Sequence, residues 1–170
     1  MSSRTLQTYL SVIDPLLFPV LKTIRRAFNH LSWAITGDIA MYLYAYSSSL
    51  PSVNLQNPEL HLVVRDVDRL NAALQQLYQQ GFVEEDQNAT HVCLHYPLLS
   101  THIKIFFGSR PLKVAWMKNR KGKSTYPLLD MEAVIAQKEK EISTLGKVER
   151  QGEWETYHWM KDVANHVIIE

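Results

Sequence analysis

The stretch WAITGDIAMYLYAYSSSLPSVNLQNPELHLVV, Trp33 to Val64, decides how the chain is read. Trp33-Ala34-Ile35 is a short apolar strand and Thr36-Gly37-Asp38 a tight turn. Ile39, Ala40, Leu43 and Tyr44 then recur at helical spacing. Ser47 to Pro58 carries serines, asparagines and two prolines and reads as a loop. Leu60, Leu62 and Val64 alternate with Glu59, His61 and Val63, so a strand here sends Glu59 and His61 out of one face. A glycine turn that opens a helix opposite two polar groups on a neighbouring strand can be built into a phosphate and metal site.

Upstream, Leu6, Tyr9, Leu10 and Ile13 are helical in period, and Asp14-Pro15 supplies a cap and a first-turn proline. Leu16, Leu17, Val20, Leu21, Ile24 and Phe28 continue one apolar face, with Lys22, Arg25 and Arg26 off it. Downstream, Asp66 is placed to cap a helix through Leu70, Leu74 and Leu77, which Gly81 stops. Phe82-Val83 starts a strand before an acidic turn, Glu84-Glu85-Asp86. His91–Tyr96 and His102–Phe107 read as two strands joined by a Pro97–Ser100 hairpin. Asp130 is placed to cap a helix from Met131 to Leu145 closed by Gly146, and Glu153–Ile169 is a last amphipathic helix. No repeat or linker divides the chain, which predicts one α+β domain over 1–170.

The 170 residues carry a formal net charge of +1, so no global field draws the chain to nucleic acid or membrane. A lone cysteine, Cys93, excludes an internal disulfide and reads as a small buried apolar group in its strand. Neither a signal-peptide pattern nor an apolar run long enough to span a bilayer is present, and the expected location is cytoplasmic.

This order of elements resembles the nucleotidyltransferase fold of the polymerase-beta-like superfamily, most closely its small bacterial toxin-antitoxin and abortive-infection members. The matching segments are Ile35-Thr36-Gly37-Asp38-Ile39-Ala40 for the family's glycine turn and Glu59-Leu60-His61-Leu62-Val63-Val64 for its Asp-x-Asp strand. Leu74–Phe82 resembles its helix with a Gly-Phe ending, and Ile103-Lys104-Ile105-Phe106 falls at its third acidic residue. Tyr126–Lys138 and Lys161-Asp162 resemble its lysine-bearing helix and Lys-Asp ending. The resemblance implies a mixed sheet flanked by helices, a helical C-terminal part, and a role in bacterial defence or toxin regulation. It also marks Thr36, Gly37, Asp38, Lys138 and Lys161 as ligand-binding candidates.

The departures from that pattern carry the functional reading. Asp38 stands where the family has a second glycine or a serine, and Leu55 and Asn57 stand where many members have Arg and Thr. The three metal carboxylates correspond to Glu59, His61 and Lys104. An ammonium ~4 Å from Mg²⁺ is repelled by about 8 kcal/mol at an effective dielectric of 20. The sequence therefore predicts a catalytically degenerate member that acts as an interaction or ligand-binding module with an unidentified protein partner and no cofactor. The alternatives are an active nucleotidyltransferase using Mg²⁺ in a non-standard carboxylate set, and nucleic-acid binding.

Each candidate group has a specific expectation. Gly37 either approaches a phosphate or only makes the turn, with Asp38 capping the helix. Glu59 and Lys104 are expected to form an ion pair across neighbouring strands. Glu59, His61 and His102 could instead hold a transition metal. Gly122-Lys123-Ser124 is not a phosphate loop, because Met117 stands where its first glycine is required. Lys113, Lys118, Arg120, Lys121 and Lys123 beside Trp116 form a basic segment suited to nucleic acid or a solvated hairpin.

Overall fold

The computed structural model describes residues 5–48, 50, 55, 58–108, 110–118 and 121–169, with the side chains of 147–151 and 167–169 left out. Asn57 and Arg120 lie outside the described residues. The apolar faces upstream form α1 (Leu6–Ser11) and α2 (Leu17–Ala27). The chain breaks between the two helices, and Asp14 holds the break. Its Oδ1 accepts from the Leu16 amide at 2.8 Å. Its Oδ2 accepts from the Ser100 amide at 2.9 Å and the Ser100 hydroxyl at 2.5 Å.

β1 (Trp33–Thr36) runs directly into α3 (Gly37–Ser47). Seven of the helix's residues, Ile39 to Ala45, are buried. A helix apolar on every side must lie inside the molecule, and α3 contacts β1, β2, β6, β7, α5 and α6. After it come β2 (Leu60–Val64), α4 (Val67–Gln79), β3 (Val83–Gln87), β4 (His91–His95) and β5 (Ile103–Phe107). β6 (Val114–Lys118), β7 (Ser124–Leu129), α5 (Met131–Ser143) and α6 (Lys147–Ile169) complete the chain. The result is the α+β architecture expected from the pattern.

The strands form one mixed sheet in the order β3-β4-β5-β2-β1-β7-β6. β2 with β5 and β1 with β7 are parallel, and the other pairs are antiparallel. Leu60, Leu62, Val64, Ile103, Ile105, Val92 and Leu94 share one face and are fully buried. Trp33 continues that face, and Phe28, the C-cap of α2, meets its ring edge-on at 5.5 Å. No helix among the described residues is long and apolar enough to cross a membrane.

Several local expectations are corrected. Glu84-Glu85-Asp86 is not a turn but the body of edge strand β3, with a register irregularity between Glu84 and Asp86. Asp66 and Asp130 occupy N-cap positions without a capping side-chain bond. Asp66 instead accepts from the Ser32 amide at 2.8 Å, tying α4 to the entrance of β1. α5 ends at Ser143, and α6 begins at Lys147, ahead of Glu153. Cys93 is partly exposed rather than buried, because alternation with Val92 and Leu94 turns it to the opposite face.

Asp14 is the structural carboxylate whose loss should be measurable. Burial pushes its pKa up, but the Ser100 hydroxyl and the Leu16 and Ser100 amides outweigh it and hold the carboxyl below its ordinary value. Its contribution is thus present above the ordinary carboxylate pKa of ~4 and lost as pH falls through the lower folded value. Asp14→Ala leaves these donors unpaired and should cost about 1–3 kcal/mol at neutral pH. Urea denaturation of both proteins should show that gap closing on the acid side.

Candidate functional site

β1 and α3 meet at Gly37, whose φ of 75° lies in the left-handed region that glycine enters without steric cost. The space beside it is filled by the chain's own histidine. A Cβ added at Gly37 would sit 3.0 Å from Nδ1, 3.1 Å from Cβ and 3.2 Å from Cγ of His61. Register explains the approach, since Thr36 on β1 is directly opposite His61 on β2. His61 in turn pairs with Lys104, Lys104 with Cys93, and Cys93 with Asp86. Directly paired residues share a face, so this polar row crosses five strands opposite the apolar core.

Where the row reaches Gly37, it lines one wall of a cleft of about 420 Å³. His61 and Lys104 come from the sheet, Glu59 from just ahead of β2, Asp38 from α3, Lys138 and Glu141 from α5, and Glu153 from α6. His61 Nε2 lies 3.6 Å from Glu59 Oε2, beyond hydrogen-bond length, and makes no hydrogen bond among the described residues. The same imidazole stands edge-on to Phe106 at 5.4 Å. The His61 ring, and more weakly the charges of Lys104 and His102, hold the Glu59 carboxyl below its ordinary pKa against burial. Burial pushes Glu141 above its ordinary value.

Lys138 closes the far wall. It is 5% exposed, and its Nζ lies 3.1 Å from Asp38 Oδ1 while also pairing with Glu153 Oε2. Burial alone would lower its pKa, but Asp38 and Glu153 reverse the sign and raise it. One ammonium therefore ties the first turn of α3 to α5 and α6.

The structure brings Gly37, Asp38, Glu59, His61, Lys104 and Lys138 to one cleft. Thr36 is buried at the N-cap position of α3, and Lys161 is exposed on α6; neither lines the cleft. Asp38 does not cap α3, because its carboxylate is turned to Lys138. The expected Glu59–Lys104 ion pair is replaced by the approach of Glu59 to His61, while Lys104 Nζ lies 5.4 Å from the Phe106 ring centre.

The proposed metal set is also not assembled. His102 bonds Glu85 at 2.8 Å and stacks on His95, while Glu59 faces His61. Among the described residues, three potential metal-binding atoms fall within 4.8 Å of one another only at Asp86, His91 and Cys93, toward the β3 end of the face. Glu141 and Glu153 escaped the sequence reading. Both sit on charged helices whose rotation about their axes is not visible until α5 and α6 pack on α3.

No protein-family model and no curated protein matches the sequence. Among solved structures, the antibiotic-resistance factor ANT(2'')-Ia in solution superposes with a TM-score of 0.65 and 12% identity, over 92% of this chain and 89% of that one. The crystal structure of ANT(2'')-Ia in complex with adenylyl-2''-tobramycin gives 0.60 and 11% identity, over 87% and 92%. This chain has the nucleotidyltransferase fold. Megavirus polyadenylate synthase gives 0.55 and 11% identity over 98% of this chain, which spans only 36% of that protein. At these identities the likeness is one of fold.

Two substitutions test the site's construction. Gly37→Ala introduces left-handed strain of about 1–2 kcal/mol for a residue with a Cβ and presses on His61, so its unfolding free energy should fall by at least that amount. Lys138→Met leaves Asp38 and Glu153 facing each other without their cation. Both carboxylates are partly solvated, so a loss of about 2 kcal/mol is expected rather than the full cost of a buried unpaired charge. Denaturant titration checks both values.

Proposed function

We propose that this nucleotidyltransferase-fold chain is catalytically degenerate and works as an interaction or ligand-binding module through the cleft beside Gly37. The observation that carries the reading is His61, whose ring fills the space against the glycine turn within 3.0 Å of where a Cβ would lie. The fold family implies Mg²⁺, a hard cation that wants several oxygen ligands. The groups in line at this end of the sheet are instead an imidazole and an ammonium, beside a single carboxylate, Glu59. Asp38 and Glu153 are engaged by Lys138. This donor set does not suit Mg²⁺.

Charge argues the same way for the nucleotide. Four carboxylates (Asp38, Glu59, Glu141 and Glu153) line the cleft against two ammonium groups, Lys104 and Lys138. A triphosphate entering without a bound cation would meet net repulsion, whereas a polar ligand bearing amines would complement the walls.

Two measurements test the reading. Incubation with each labelled ribonucleoside triphosphate, Mg²⁺ and a cell extract should give no label transfer to protein, RNA or the chain itself. Transfer that disappears in Glu59→Ala would make the chain an active nucleotidyltransferase with an unusual metal site. Conversely, the double variant His61→Asp/Lys104→Asp places two carboxylates in the row next to Glu59. With Asp at 61 and 104 beside Glu59, this variant should gain a Mg²⁺-dependent rise in melting temperature that the parent lacks, and a parent that responds equally would contradict the argument from the donor set.

A further inference from the structure

A second concavity of about 980 Å³ opens beside the other edge of the sheet, between the end of α2 and the β6–β7 hairpin. Its charge is the reverse of the first. Arg25, Arg26 and Lys123 line it, and none of its described lining residues is acidic. Trp116, on edge strand β6, is 52% exposed and forms part of its wall, and the polar lining includes Asn29, Ser124 and Thr125. Arg25 is held in place: its Nη1 donates to the Thr125 carbonyl at 3.3 Å, and its guanidinium lies 4.8 Å from the Tyr126 ring centre.

Half of this surface was visible in the basic segment 113–123, and half was not. Trp116 and Lys123 contribute to the groove, whereas Lys113, Lys118 and Lys121 do not line it. The missing cations come from α2, about a hundred residues earlier in the chain. The order β1-β7-β6 brings the hairpin beside Trp33 and the end of that helix.

We propose that this groove binds single-stranded nucleic acid, with a base stacked on Trp116 and the phosphate backbone tracked by Arg25, Arg26 and Lys123. An exposed indole beside cations matches a base and its phosphate, the pair of groups that single-strand binders use. A duplex hides its base faces in its own stack, so the indole selects against it. The cations are divided between α2 and the hairpin, which suits a chain running through the groove better than one compact anion. At about 980 Å³ the space is at the upper limit for a small-molecule pocket. The proposal does not depend on what the Gly37 cleft binds or catalyses.

Fluorescence anisotropy with a labelled, short, mixed-sequence single-stranded RNA tests it, with the DNA of the same sequence, the corresponding duplex and inorganic triphosphate as comparison arms. The single strands should bind at low salt, with log K falling against log salt at a slope of about −2 for three neutralised phosphates. Trp116→Ala should weaken binding about 5- to 150-fold, the range that loss of one stacked base implies. Arg26→Glu with Lys123→Glu should abolish it, while Lys140→Ala on exposed α5 surface should leave it unchanged. Trp116 is already half exposed, so its variant is expected to fold, and circular dichroism verifies that. No binding at low salt, equal binding of the duplex, full competition by triphosphate alone, or indifference to both groove variants would overturn the assignment.

Discussion

The structure depends on a helix with no face to give to water. Ile39 to Ala45 are buried all the way round α3, so every other layer must be arranged to enclose it. A buried helix that contains tyrosines also needs acceptors inside the protein. Tyr42 and Tyr9 exchange phenol-to-carbonyl hydrogen bonds at 3.3 and 3.2 Å, which draws α1 onto α3. The Tyr44 hydroxyl donates to the Leu129 carbonyl at 2.8 Å and holds the end of β7. At the other end of the helix, Asp38 meets Lys138 and fixes the C-terminal helices. The left-handed turn at Gly37 lets β1 enter this enclosed helix without an intervening loop.

The same enclosure separates two surfaces of opposite character. Helices α5 and α6 bring carboxylates over the sheet beside Gly37, and buried Lys138 is consumed in holding them there. Beyond β1, on the β7–β6 side, α2 meets the hairpin, and the lining groups are arginine, lysine, hydroxyls and indole. A net charge of +1 therefore conceals two unlike regions and does not mean a surface without preference. A ligand suited to one is repelled by the other.

Local periodicity carried most of the fold. Alternation at Leu60–Val64 and the 3.6-residue spacing at Leu70, Leu74 and Leu77 are direct imprints of one buried face. The glycine turn was equally legible, because only a residue free to adopt positive φ serves there. The acidic run Glu84–Asp86 misled because an edge strand exposed at every position has no alternation to display. Glu59 was assigned to Lys104 because strand register predicts shared faces. Which neighbour a flexible carboxylate approaches is set by side-chain reach, and His61 lies only two residues along the chain. Lys138 stands out only through the resemblance, since its burial and its pairing with Glu153 come from α6 and not from its own segment. The α2 half of the basic groove needed the strand order, which no local pattern encodes.

The two sheet margins have a consequence for how molecules of this chain meet. An unpaired edge strand is a template on which a second chain can add. Here one margin, β3, carries Glu84, Glu85 and Asp86 with every residue exposed, and the other, β6, carries exposed Lys118. Acidic edges repel their own kind. The complementary encounter of β3 with β6 is hindered differently, because each strand has a register irregularity, between Glu84 and Asp86 and between Trp116 and Lys118. A strand with such a break cannot offer an unbroken ladder of amides and carbonyls. The sheet is thereby bounded at both ends, and end-to-end growth into fibres is opposed by backbone shape even where charge would invite it.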